Sequence, residues 1–141
     1  MPDALWLSPA HLDAIIEHAR IHKPLEACGI LAGDGEGRVR EVFLMDNAEH
    51  SPTLYMMDSR EQFRVFDEID REGLELVAIF HSHPHSPAVP SPRDCELAFY
   101  PDALYLIVSL MDEQPDCHAY RIVDNQVEEA EIVVTGEDEL P

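Results

Sequence analysis

The run LELVAIF at 74–80 is apolar at nearly every position, the pattern of a strand buried on both faces of a central sheet. Around it the chain alternates between strand and helix periods. ALWL at 4–7 predicts a short strand. Ser8 and Pro9 then read as the N-cap and first residue of an amphipathic helix through HLDAIIEHARIH, ended by Lys23 and Pro24. EACGILAG and RVREVFLM predict two strands joined as a hairpin across GDGEG. NAEHSPTLYM has little period and predicts a loop or an irregular strand. In DSREQFRVFDEIDREG the apolar residues 63, 66 and 69 mark a second helix, capped by Asp58 or Ser59 and stopped by Gly73. A proline-rich stretch follows, then a short helix around RDCELAF and the strands ALYLIVSL, CHAYRIV and VEEAEIVV. The order predicts an α/β fold, a mixed central β-sheet flanked by helices, without internal repeats.

Length and composition narrow the picture. The 141 residues fit a single domain, 1–141, since domains commonly run to about 100 to 150 residues. No apolar run approaches the roughly 18 residues that span a bilayer, and the N-terminus lacks a basic segment leading into an apolar one. Cys28, Cys95 and Cys117 form no CxxC pair and leave an odd thiol, which fits a reducing compartment. A soluble, cytoplasmic protein is expected. Acidic residues number 29 against 9 basic ones, and Lys23 is the single lysine. That balance argues against nucleic-acid and anionic-membrane partners, whose binding begins with phosphate neutralisation by Lys and Arg. The acid is spread along the chain, with a mild excess in EEAEIVVTGEDELP. One reading is adaptation to a saline cytoplasm, where self-repulsion is screened. The other is an ordinary acidic protein, and the scarcity of lysine favours the first.

The candidate chemistry sits just after the buried strand, in HSHPHSPAVPSPRD at 81–94, which holds three histidines, four prolines and an aspartate. Loops beyond the C-terminal end of a buried strand are the usual place for chemistry in α/β proteins. On an extended backbone, side chains at i and i+2 share a face with Cα atoms about 6.6 Å apart, so His81 and His83 can converge on one ion. The prolines stiffen the excursion that returns Asp94 to the same point. Two histidines and a carboxylate are the three protein ligands that leave a catalytic zinc one open position. Local structure offers a competing account of SPRD, with Ser91 as N-cap, Pro92 at N1 and Asp94 closing a capping box. His85 shares a side with His83 on an extended chain, but Pro84 turns the backbone before it. His85 is therefore expected outside the ligand set, or in solvent.

Other metal patterns fit worse. HExxH is absent, the third residue of HSH is not the glutamate of zinc deaminases, no PCxxC follows, and the chain is too short for a TIM barrel. HSHPHSPAVPSPRD instead resembles the JAMM signature of the MPN/Mov34 metalloproteases, H-x-H-P, a loop, then S-x-x-D. PLEACGILAG resembles that family's strand carrying its catalytic glutamate, which maps to Glu26. The order of elements resembles the family over most of the chain.

The resemblance implies an MPN (cytidine-deaminase-like) fold and a zinc peptidase. His81, His83 and Asp94 would hold one Zn²⁺ per chain, Glu26 would be the general base, and Ser91 would donate a hydrogen bond to the developing oxyanion. It further implies the compact prokaryotic branch, whose members resemble peptidases acting at the Gly-Gly end of ubiquitin-like sulfur carrier proteins. The tail of such a partner would pair with an exposed strand edge, the loop from Asn47 to Met57 being the natural candidate. The rival reading is a non-enzymatic MPN module that binds a partner protein, with zinc serving structure. An intact Glu26 argues against it, because a structural site has no use for a general base.

Overall fold

The computed structural model of the chain describes residues 3–135, so the acidic end at 136–140 lies outside the described residues. Seven strands form one mixed sheet in the order β1-β7-β6-β5-β4-β2-β3. They are β1 (Ala4–Leu7), β2 (Cys28–Gly33), β3 (Val39–Met45), β4 (Glu75–His83), β5 (Leu104–Ser109), β6 (Asp116–Val123) and β7 (Gln126–Val134). The helices are α1 (Pro9–His22), α2 (Ser59–Arg71) and α3 (Pro92–Glu96). The β1–β7 and β4–β5 pairs are parallel and the others antiparallel. Trp6 N–H also donates to the Gly37 carbonyl at 2.8 Å, so β1 reaches the hairpin turn before β3 and the sheet curls its two margins together. Among the described residues no helix is long and apolar enough to cross a membrane.

The α/β order read from periodicity agrees with this architecture, and the caps explain the helix boundaries. Ser8 Oγ accepts from His11 N–H at 3.1 Å at the start of α1. The Asp58 carboxylate accepts from Arg60 and Glu61 N–H at the start of α2, and Gly73, at φ 69°, takes the left-handed turn that ends it. The apolar face of α2 differs from expectation. Val65 and Ile69 are buried, whereas Phe63 is 74% exposed. At 3.6 residues per turn, positions 63 and 69 lie about 120° apart, so one sheet face cannot cover both, and packing selects the side centred between 65 and 69.

The sheet separates two apolar layers. One, beneath α1, holds Leu5, Leu7, Ile15, Leu31, Phe80, Leu104, Leu106 and Val108. The other, beneath α2, holds Ile30, Met45, Val65, Ile69, Ile79, Tyr105, Ile107 and Ile122. Strand alternation therefore decides which layer each β4 side chain joins. Ile79, His81 and His83 lie along the α2 row, while Phe80 and Ser82 face the α1 side. Gly29 is required where β2 passes Phe80, because a Cβ there would collide with the Phe80 ring and the Phe43 carbonyl.

Candidate active site

β4 does not stop at Phe80. It continues through His81 and His83, which pair with Ile107 and Ser109 of β5. The two histidines are thus strand residues and not part of the loop in which the sequence places them, because β5 supplies hydrogen-bond partners up to Ser109. Their i, i+2 spacing has the expected consequence: the two Nε2 atoms are 3.1 Å apart, and both rings are buried.

Asp94 returns to them on the first turn of α3. Its Oδ2 lies 3.0 Å from His83 Nε2 and 3.2 Å from His81 Nε2. The same Oδ2 accepts from Ser91 N–H at 2.9 Å, and Asp94 N–H donates to Ser91 Oγ at 3.1 Å, a complete capping box. Ser91 Oγ accepts that bond, which leaves its own O–H to donate elsewhere. His85 is exposed and stands outside the group.

The proline-rich loop is anchored through its carbonyls. Ser109 Oγ donates to Ser86 O at 2.6 Å, His83 Nδ1 to Pro87 O at 2.8 Å, and Tyr120 Oη to Ala88 O at 2.5 Å. Proline removes N–H donors from the loop, and three side chains of the sheet bond the carbonyls of residues 86–88. The Pro87 carbonyl can only accept, so Nδ1 of His83 carries a hydrogen and the neutral ring turns its Nε2 lone pair toward Asp94.

These contacts allow a direct test of whether a metal ion suits the group. His81, His83 and Asp94 each present a ligand atom, all within 4.8 Å of one another. Two ring nitrogens and one carboxylate oxygen converge on one point, and a proton or a cation held there reconciles them. In the metal-free protein a proton takes that part. Burial pushes His83 down, but the bonds to Asp94 and Pro87 outweigh it and the net pKa is raised. Burial likewise pushes Asp94 up, yet the bonds with His81 and His83 hold its carboxyl well below the usual range. His81 is lowered by its complete burial. A borderline-soft divalent ion such as zinc fits an N₂O donor set of this kind.

Glu26 is 3% exposed, and its Oε1 is buried with no hydrogen-bond partner among the described residues. Burial raises its pKa to about 8, with His83 lowering it and Asp94 raising it. The carboxyl is therefore close enough to the His–His–Asp group to feel its charges. It lies two residues before β2, and its neighbour Ala27 is fixed by Ser82, whose Oγ accepts from Ala27 N–H at 2.8 Å and whose N–H donates to Ala27 O at 2.9 Å. The residue between the two histidines thus faces the opposite way and holds the Glu26 segment.

The structure also brings in residues the sequence does not single out. The Tyr55 ring stacks on His81, and the Asn47 side chain donates to the Glu26 carbonyl at 3.1 Å. Tyr55 further lines an apolar hollow of about 220 Å³ with Met56, Ile79, Leu97 and Phe99. Nothing in NAEHSPTLYM marks these positions, because an aperiodic loop reveals its contacts only once folded. The same loop folds back on itself. Asn47 and Met57 form a bridge, and Ala48 N–H donates to Met56 O at 2.8 Å.

With this geometry in view, the comparisons with known proteins are specific. A sequence profile of the prokaryotic homologs of the JAB domain matches residues 8–123. A CysO-cysteine peptidase of Mycobacterium tuberculosis is 42% identical over 125 residues, which cover 87% of this chain and 86% of that protein. A desampylase of Haloferax volcanii is 38% identical over 103 residues, 69% of this chain and 74% of that protein. Among solved structures, a Desulfitobacterium hafniense protein superposes with a TM-score of 0.86 at 36% identity, over 94% of each chain.

Proposed function

This chain belongs to the prokaryotic JAB-domain family, and on that premise we propose that it is a zinc-dependent peptidase or isopeptidase acting at the Gly-Gly end of a ubiquitin-like sulfur carrier protein. One observation carries the reading. Nε2 of His81, Nε2 of His83 and Oδ2 of Asp94 converge within 3.2 Å of one another, beside a buried Glu26 whose Oε1 has no partner among the described residues. A non-enzymatic binding module has no use for such a carboxyl, whose burial unpaired is costly.

His81, His83 and Asp94 would hold one zinc ion per chain. Bound there, zinc supplies Lewis acidity that polarises the scissile carbonyl and makes a water easier to deprotonate. Glu26 accepts the proton of the attacking water and passes it to the departing amine. Its raised pKa suits the return of that proton, and positive charge in the neighbouring group favours the ionised form that accepts it. Ser91 donates its O–H to the oxygen on which negative charge develops. The capping box holds Ser91 and Asp94 in fixed relation, so oxyanion donor and ligand are set by one helix start.

The CysO-cysteine peptidase and the desampylase among the relatives support a carrier-protein conjugate as the substrate class. Glycine at the two positions before the cut has no side chain to meet the walls formed by the Glu26 segment and the proline-rich loop, and it lets backbone approach closely. The apolar hollow beside Tyr55 supplies a contact for the carrier outside its tail. The test is a matched pair of carrier-tail fusions, Gly-Gly against Val-Gly, incubated with the zinc-loaded protein and with chelator present. Cleavage is expected only with zinc, with kcat/KM about two orders of magnitude lower for Val-Gly, roughly 2.7 kcal/mol of transition-state binding. Equal rates would leave a general metallopeptidase, and binding without any cleavage would favour the partner-binding module.

A further inference from the structure

Ligand histidines generally use their second ring nitrogen to fix ring orientation through a hydrogen bond. His83 does so through the Pro87 carbonyl. His81 does not, since its Nδ1 is buried without a partner among the described residues. Its ring instead lies flat against Tyr55, with centroids 4.5 Å apart and planes 18° from parallel. Rotation about the Cβ–Cγ bond of His81 would swing a ring edge into the Tyr55 face, so the stack limits the tilt that a hydrogen bond would otherwise limit.

Tyr55 is itself held from both sides. Asn47 Nδ2 donates to the Leu54 carbonyl at 2.9 Å, and Met56 N–H donates to Asn47 Oδ1 at 3.0 Å, so the residues flanking Tyr55 are tied to one amide. Asn47 Nδ2 also donates to the Glu26 carbonyl at 3.1 Å, and its Oδ1 accepts from Glu49 N–H at 3.0 Å. Glu26 N–H donates to Ser51 O at 2.8 Å in the same loop. Both backbone polar groups of Glu26 are therefore satisfied by residues 47–51. Asn47 is buried and uses both its donors and both lone pairs of its oxygen. A carboxylate would face two carbonyls with no hydrogen to give, and a serine has one donor in place of two.

We propose that the loop from Asn47 to Met57 is a single positioning unit for the site, in which Tyr55 orients His81 and Asn47 locks Tyr55 to the backbone of Glu26. This rests on the reading of His81 as a ligand and Glu26 as proton acceptor. Neither Tyr55 nor Asn47 touches the reacting atoms. They act through His81 and Glu26, and they couple ligand geometry to base placement through one buried amide.

The experiment measures zinc affinity by chelator competition and ligand geometry by the visible absorption of the cobalt(II)-substituted full chain. Tyr55→Leu is expected to weaken zinc binding by about tenfold or more and to alter the cobalt spectrum, as loss of an orienting contact does at other sites. Tyr55→Phe keeps the flat ring and is expected to restore both. Wild-type affinity and spectrum in Tyr55→Leu would overturn the proposal. Should Tyr55→Leu not fold, Asn47→Ser decides: weaker zinc binding and reduced kcat at saturating zinc support the unit, and an unchanged spectrum and kcat overturn it. A wild-type chain that binds neither metal, or binds both equally well after His81→Ala, would instead remove the metal-site reading on which this inference stands.

Discussion

Ser91 and Asp94 cap one another, and the carboxylate oxygen that takes the Ser91 N–H at 2.9 Å is the oxygen that faces His83 Nε2 at 3.0 Å. The helix-cap account of SPRD and the ligand account therefore describe one side chain. The capping box fixes the rotamer of Asp94, so on the proposed reading its ligand oxygen is placed before any ion arrives.

Asp94→Ala is expected to weaken zinc binding severely and to abolish hydrolysis, whereas His85→Ala keeps both because His85 is exposed outside the group. Zinc content per chain after dialysis measures this. Equal loss in the two variants would mean that the ligand set is wrong. Ser91→Ala should retain zinc, lose roughly 1 kcal/mol of stability with the cap and lose rate with the oxyanion donor.

Glu26→Gln separates chemistry from metal binding. The change is nearly isosteric but removes the proton acceptor, so zinc should stay while turnover falls by about 10² or more. Near-normal turnover would end the general-base assignment. The same variant tests burial of the carboxyl in the metal-free protein. The folded pKa is about 8 against an ordinary 4.5. Between those values the unfolded chain has released a proton that the folded chain keeps, so this group's contribution falls as pH rises from about 4.5 to 8. Glu26→Gln should melt above wild type at pH 8, by an amount that shrinks toward pH 5.

Zinc affinity should itself depend on pH. Burial lowers the His83 pKa, but the bonds to Asp94 and Pro87 together outweigh it and the net shift is upward, so the ion must displace a proton from His83. Apparent affinity should therefore rise as pH increases through the His83 titration and then level off. Chelator competition at about pH 6, 7 and 8 reads this, and affinity that is flat across the series would show that no proton is displaced.

Salt should stabilise the fold. With 29 acidic residues against 9 basic ones, self-repulsion acts in dilute buffer and is screened as ionic strength rises. A thermal midpoint that does not move between about 0.05 M and 2 M KCl would remove the saline-adaptation reading.

Much of the fold was legible because each element carries its own local signal. Ser8-Pro9 and Asp58 announce helix starts, Gly73 an end, and the nearly continuous apolar run through Phe80 a strand with both faces covered. The His81–His83 spacing alone puts two imidazoles on one face, since strand alternation is a property of the backbone. The pairing of that motif with PLEACGILAG gave the family resemblance, which the profile match over 8–123 supports.

Other features depended on partners distant in sequence. β4 extends to His83 because β5 pairs with it as far as Ser109, and no residue within 81–83 encodes that. α2 buries Val65 and leaves Phe63 in solvent because the sheet covers only one arc of the helix. Ser109 and Tyr120 anchor the proline-rich loop from strands that follow it in the chain. Asn47 and Tyr55 join Glu26 to His81 from a segment without period. The sequence by itself determined which residues are candidates for the chemistry, since residue type and short-range spacing suffice for that. Only the tertiary structure decided how they are oriented, because a ring's tilt and a carboxyl's pKa depend on what packs against them across the sheet.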